Sequence, residues 1–230
     1  MRLNAFLARA GVTSRRGADE MIKAGRVTVN DRLGHLNDQV SENDVVKLNN
    51  KQIRLRKSRN ILLYKPTGYV TTLKDPQQRR KVIDLLDISE RVVPVGRLDY
   101  DTTGALLLTN DGELANKLMH PRFKVDKVYE AVVKGIITKE VINKLNTGIE
   151  LEDGRTAPAK AKMIAENKIE LIIHEGRKHQ VKRMLSAVGM KVIALHRSKY
   201  AGLDLSGLKP GQWRDLTEDE VIRLKRYTSK

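Results

Sequence analysis

The chain has 230 residues, 40% of them apolar, and no cysteine. That length supports one large or two small cored domains, and the missing cysteine excludes a disulfide framework, a thiolate nucleophile and a cysteine-held metal. Lys and Arg number 44 against 28 Asp and Glu, and this net charge of +16 makes polyanions, nucleic acid first among them, the expected partner class. Arg9 interrupts the opening MRLNAFLARAG, which argues against a secretory signal, and no apolar run reaches the length of a membrane span. A cytoplasmic protein without a membrane partner is expected.

In chain order, Leu3, Phe6, Leu7 and Ala10 keep helical spacing up to Gly11. Ser14 is placed to cap a second helix that runs to Lys23, with Gly25 just past its end. Val27 and Val29 alternate as in a strand, Asn30-Asp31 signals a turn, and Val45-Val46 opens another strand. The first 60 residues carry +7 and the other 170 carry +9. The polar, basic stretch Lys51–Asn60 closes the first block and reads as a linker, so a boundary is expected near residue 58. Beyond it, strands are expected over 61–64, 69–72, 92–95, 105–109, 128–133, 161–165, 169–174 and 192–196. Helices are expected over 113–118, 139–146, 180–187 and 218–226. In the third helix Val181, Met184, Leu185 and Val188 share a face, and the fourth opens on a Thr217-x-x-Glu220 capping box. Strands outnumber helices, so the expected fold class is α+β. A small α/β domain, residues 1–58, precedes a larger one, 59–230, built on a mixed or antiparallel sheet. Neither glycine-rich nucleotide motif occurs, so no nucleotide cofactor is signalled.

Arg9, Arg15, Arg16, Lys23 and Arg26 gather on the first two helices and the turn after them. Arg15 and Arg16 fall in a first helical turn, where the dipole disfavours cations, which fits an anionic partner about as well as a solvated basic face. The segment LNAFLARAGVTSRRGADEMIKAGRVTVN closely resembles the S-four RNA-binding module, over about the first 50 residues. The resemblance implies that these five cations hold structured RNA by its backbone.

The second constellation is the loop GRLDYDTTG, Gly96–Gly104, between two apolar strands. Rigidly mounted loops are where reacting groups concentrate. Asp101, Thr102 and Thr103 read as an ordinary turn that bonds to local backbone, whereas Arg97 and Asp99 read as site residues. With LLYKPTGYVTT, PVGRLDYDTTGALLLTNDGELANKLMHP, KVYEAVVKG, EGRKHQVKRMLSAVG and KVIALHR in this order, nearly the whole chain resembles the RsuA/RluB family of ribosomal RNA pseudouridine synthases. NDGELANKLMHP and GQWRDLTEDEVIRL are most similar to the RluB-type branch, which implies large-subunit RNA.

The resemblance implies three catalytic residues: Asp99 as the acting carboxylate, Tyr129 stacked on the base and assisting proton removal, and Arg177 as the cation paired with Asp99. It further implies Leu195 packed against the uracil and Arg97 in the place of the extruded nucleotide. Lys178, Lys182 and Arg183 on the next helix are expected to flank the RNA entrance, and Gln180 to orient Arg177 or another site group. The reaction breaks the C–N glycosidic bond, turns the uracil and joins C5 to the sugar. It is an isomerisation that calls for no cofactor and no metal. A carboxylate attacks the sugar or assists elimination there, and the sequence leaves the two routes open. The expected partner is ribosomal RNA or a pre-ribosomal particle, met by a monomer. Two other readings compete: a non-catalytic RNA-binding or assembly factor, and a metal-dependent nuclease using Asp99 and Asp101. His174-Glu175-x-x-x-His179 is one residue too long for the zinc motif, and His35, His120 and His196 read as surface or structural groups.

Overall fold

In the computed structural model, residues 1–227 are described and fall into two compact units. The first comprises Met1–Arg59 together with the short segments Ile88–Val92 and Asn110–Gly112. Those segments join it through Arg59–Glu90 and through Asn110, whose side chain accepts from Arg59 N at 2.7 Å and donates to Lys57 O at 3.0 Å. No described helix is long and apolar enough to cross a membrane.

Unit 1 opens with α1 (Leu3–Arg9) and α2 (Arg15–Lys23), followed by strands β1 (Val27–Val29), β2 (Arg32–Leu33), β3 (Val46–Leu48) and β4 (Lys51–Ile53). The Ser14 hydroxyl accepts from Gly17 N at 3.1 Å, so the expected cap is made. Leu3, Phe6 and Leu7 of α1 and Ala18 and Ile22 of α2 are buried against Val27, Val29 and Val46. The sheet runs β2-β1-β3-β4, antiparallel throughout. Both its tight turns, Asn30-Asp31 and Asn49-Asn50, have positive φ at each residue, a geometry Asn and Asp tolerate. The second turn makes Lys51–Ile53 an edge strand, where a linker was expected.

Unit 2 is built on a nine-stranded sheet. Its strands are β5 (Asn60–Lys65), β6 (Val93–Val95), β7 (Thr103–Thr109), β8 (Lys127–Lys134), β9 (Lys160–Ala165), β10 (Lys168–Ile173), β11 (Lys191–Tyr200), β12 (Leu203–Asp204) and β13 (Trp213–Asp215). The order is β13-β5-β7-β11-β8-β10-β9, with β6 on β7 and β12 on β11. Only β7 and β11 pair in parallel among the described strands, so the sheet is mixed. Ile61, Leu62 and Leu63 of β5 and Ala105–Leu108 of β7 are fully buried, which explains their unbroken apolar runs. β8 and β10 alternate buried and half-buried positions, as one-sided strands do.

The helices are α3 (Gly112–Met119), α4 (Lys139–Thr147), α5 (Gln180–Ala187) and α6 (Glu218–Tyr227). α5 buries Val181, Met184 and Leu185, and Glu220 with Thr217 forms the expected capping box. The expected strand over 69–72 is absent. Val70 makes only an isolated bridge to Lys81, because this segment turns at Gly68 and then wraps a cavity.

Candidate active site

The loop between β6 and β7 carries Asp99, and its backbone is held from several sides. Lys65, wholly buried at the end of β5, donates through Nζ to Pro66 O (3.0 Å), Asp99 O (2.9 Å) and Thr102 O (2.8 Å). Thr71 Oγ1 donates to Leu98 O at 2.8 Å, and Gly68 N donates to Tyr100 O at 2.9 Å. Burial pushes the Lys65 amine down to about 8, against the opposing pull of Asp101 and Asp99. An ammonium answered by carbonyls and clamped in a dry site fixes where the Asp99 side chain starts.

That side chain meets two groups from the start of α5: His179 Nε2 at 3.6 Å and Lys182 Nζ at 3.7 Å. Lys182 also donates to both oxygens of Asp101, at 2.6 and 2.8 Å. The Lys182 bond holds Asp101 below the usual carboxylate range. One lysine thus bridges the two carboxylates of the loop. His179 precedes the helix with a left-handed backbone, φ 51°, and this turns its ring toward Asp99.

Asp99, Arg97, Tyr129, Leu195 and Arg197 line one cavity of ≈ 930 Å³ that lies wholly within unit 2. Tyr129 and Leu195 are nearly buried in its wall, and Arg97 is exposed on it. Tyr129 and Arg197 are register partners across β8 and β11, and Arg197 Nη1 donates to the Tyr129 hydroxyl at 3.3 Å.

Arg177 does not pair with Asp99. Its Nη1 donates to Gly154 O at 2.6 Å and Asp153 O at 3.2 Å, and its Nη2 donates to Arg155 O at 2.6 Å. Glu175 lies 3.5 Å away on its other side. A fork saturated by three successive carbonyls is committed to holding the 153–155 turn, so the expected pairing falls to Lys182 instead. Gln180 braces the same loop: its Oε1 accepts from Arg177 N at 2.9 Å and its Nε2 donates to Glu175.

Arg183 is also committed, to both oxygens of Asp153 at 3.0 and 2.9 Å, which leaves exposed Lys178 as the basic side chain of this helix start on the cavity rim. The expected local turn bonds are not all made either. Thr103 Oγ1 pairs with His196 Nδ1 at 2.8 Å, and the buried Thr102 hydroxyl has no partner.

In unit 1, Arg15, Arg16, Lys23 and Arg26 are exposed, with Arg15 and Arg16 opening α2 as expected. Arg15 reaches Asn4 at 3.4 Å and Arg26 reaches Asn49 at 3.1 Å. Arg9 is half-buried, with Nη2 3.4 Å from the Ser58 hydroxyl.

A carboxylate on a clamped loop, a bridging lysine and a wall holding Tyr129 and Leu195 suit the turning of a base at its sugar. The chain belongs to the RNA pseudouridylate synthase family, whose profile matches residues 59–187, and an S4 domain profile matches residues 1–46. It is 49% identical to the ribosomal large subunit pseudouridine synthase B of Bacillus subtilis, over 97% of this chain and 95% of that one. The dual-specificity RNA pseudouridine synthase RluF of Escherichia coli K12 is 36% identical, over 97% of this chain and 78% of its own. A crystal structure of a pseudouridylate synthase superposes with a TM-score of 0.73 at 30% identity, over 97% of this chain and 99% of that one.

Proposed function

We propose that this synthase converts one or a few uridines of large-subunit ribosomal RNA to pseudouridine, with Asp99 as the acting carboxylate and no cofactor or metal. The observation that carries the reading is Asp99 itself, on a loop pinned by Lys65, 3.7 Å from Lys182 and in one cavity with Tyr129 and Leu195. The target nucleotide leaves its stack, which costs a few kcal/mol. Arg97 fills the gap left in the RNA, while Tyr129 and Leu195 hold the extruded uracil by stacking and apolar contact. Asp99 acts at the sugar as the C–N bond breaks, and Lys182 balances its charge. Tyr129 carries the proton away from C5 once the new bond exists.

Residues 1–58 form the RNA-holding domain and 59–230 the catalytic one, in a monomer that acts in the cytoplasm on ribosomal RNA or a pre-ribosomal particle. Arg9, Arg15, Arg16, Lys23 and Arg26 contact RNA phosphates, and Lys178 contacts them at the cavity rim. Arg177 and Arg183 act on the site only through the 153–155 turn.

The test uses ribosomal RNA tritiated at uridine C5. The wild type should release tritium in the presence of chelator and leave RNA length unchanged, and Asp99→Asn should lose about 10⁴-fold or more of that rate at unchanged RNA affinity. Tritium release by Asp99→Asn at the wild-type rate refutes the assignment of Asp99. Shortened RNA would point to a nuclease, and binding without tritium release to an assembly factor.

A further inference from the structure

Arg197 lies on β11 with only 2% of its surface exposed. Its Nε donates to Ala105 O at 2.8 Å and its Nη1 to the Tyr129 hydroxyl at 3.3 Å. Its Nη2 is buried without a hydrogen-bond partner, and no described carboxylate forms an ion pair with it. The rings of Tyr129 and Tyr200 flank the guanidinium, with centroids 5.8 and 4.9 Å from Cζ. A lone buried cation is costly, and a buried N–H left unpaired adds to that cost.

The surroundings add positive charge. Lys127 Nζ lies 6.0 Å from the other ring that flanks Arg197, that of Tyr200, and donates to Val125 O and His174 O at 3.3 Å each. Burial, and after it the charge of Arg197, pushes the Lys127 amine down to about 8. Lys127, Tyr200 and Arg197 all line the cavity that holds Asp99. This part of the cavity wall therefore holds two buried cations, opposed at Lys127 by Asp126 and Glu175, and one buried N–H of Arg197 that has no acceptor among the described residues.

We propose that Arg197 is a catalytic residue whose unpaired Nη2, covered by the cavity wall in the free protein, is uncovered by a small shift as the base enters, donates to a carbonyl oxygen of the target uracil and stabilises the charge the base acquires as it leaves the sugar. When the C1′–N1 bond breaks, its electron pair stays with the base and is shared among N1, O2 and O4. C1′ is relieved either by a bond from the Asp99 carboxylate or by loss of the C2′ proton to that carboxylate. Either event is reversed when C5 of the turned base donates an electron pair to C1′. The C5 proton then leaves by way of the Tyr129 hydroxyl and N1 takes up a proton, so the net change is an isomerisation and no co-reactant is consumed. The base is most anionic between the two bonds, while it is free to turn. The apolar walls formed by Leu195 and Ile173 strengthen the pull of a fixed cation on that charge. An arginine suits the task because its planar fork fixes one Nη on Tyr129 and points the other in a set direction.

The inference rests on the proposed site, and the experiment separates the two. Arg197→Lys and Asp99→Asn are assayed in single turnover on RNA with uridine or 5-fluorouridine at the target, following disappearance of the N-linked nucleoside. Fluorine stabilises the base anion, so cleavage needs less help from the protein. Arg197→Lys should lose about 10²–10³-fold on uridine RNA, the scale of a removed electrostatic donor. The loss should shrink by about tenfold or more on 5-fluorouridine RNA, because part of the donor's task is then done by the fluorine. Equal losses on both RNAs, with Asp99→Asn inactive, overturn the role of Arg197 and leave the site standing. Rapid cleavage by Asp99→Asn overturns the site itself.

Should Arg197→Lys fail to fold, wild-type inhibition by free barbiturate, an ionised pyrimidine, is compared with inhibition by uracil. Clearly tighter inhibition by barbiturate supports the role, and equal inhibition overturns it.

Discussion

Gly104→Ala tests how closely the site depends on the parallel pairing of β7 with β11. Gly104 faces Arg197 across β7 and β11, with φ at +122°. A Cβ there would press against the Arg197 carbonyl oxygen and lie 2.5 Å from its nitrogen and 2.8 Å from its carbonyl carbon. Ordinary carbon contacts begin near ~3.5 Å, and the obstacle is backbone in the middle of a sheet, so neither side yields easily. Overpacking of this kind costs about 1–3 kcal/mol, and a non-glycine residue at such a φ costs about 1–3 kcal/mol more. The sum centres near ~4 kcal/mol, which for a chain of this size lowers Tm by roughly 8–16 °C. β11 also carries Leu195 and Arg197, so parting it from β7 should slow turnover at temperatures where the variant is still folded. Differential scanning calorimetry gives the first number and tritium release the second. Gly112→Ala is the control, because a Cβ there meets nothing within 4 Å. Melting of Gly104→Ala within about 2 °C of the wild type would refute the reasoning, since it would mean that the strands can separate without cost.

Lys182→Met should cut the single-turnover rate by about 10²-fold or more with little change in melting, whereas Arg177→Met should lower Tm through the 153–155 carbonyls; the reverse pattern would return the pairing role to Arg177. Arg15→Ala with Arg16→Ala should weaken RNA binding and flatten the log affinity against log salt slope by about 0.7–0.9 for each phosphate no longer neutralised, as read by filter binding at several salt concentrations, with single-turnover rates on saturating RNA unchanged. Lys127, at about 8 when folded and 10.5 in its ordinary state, releases its proton earlier in the folded chain, so its contribution to stability rises with pH between those values. The urea stability of the wild type relative to Lys127→Met should therefore gain about 1–2 kcal/mol from about pH 7.5 to 9.5, and a flat difference would contradict the burial argument.

The helices were legible because their signals are local: Ser14, Gly11, Gly25 and the Thr217/Glu220 box each act within one turn. The apolar runs of β5 and β7 were legible for the same reason, as they need only be read as buried strands. β4, β12 and β13 were missed because each has two or three residues, and short strands exist only through the neighbour they pair with. The stretch 69–72 has strand composition but finds only the single bridge from Val70 to Lys81, and propensity yields to the need to wrap the cavity.

The site shows the same division between local and distant information. Arg177, Lys182 and Arg183 are alike in sequence, three of the four Lys and Arg within seven residues around the start of α5. Only the path of the 153–155 turn, more than 20 residues earlier, decides which of them is free to meet Asp99: it occupies Arg177 with its carbonyls and Arg183 with the Asp153 carboxylate, and Lys182 alone is left. Arg197 is the opposite case, because its signal lay in the sequence. Successive side chains on a strand alternate faces, so a strand that puts Leu195 in the cavity wall must put Arg197 on the same face two residues later. A cation aimed at an apolar pocket needs a partner. Among the described residues the acceptors are the Tyr129 hydroxyl and the Ala105 carbonyl, and the unpaired N–H is the one we propose for the base.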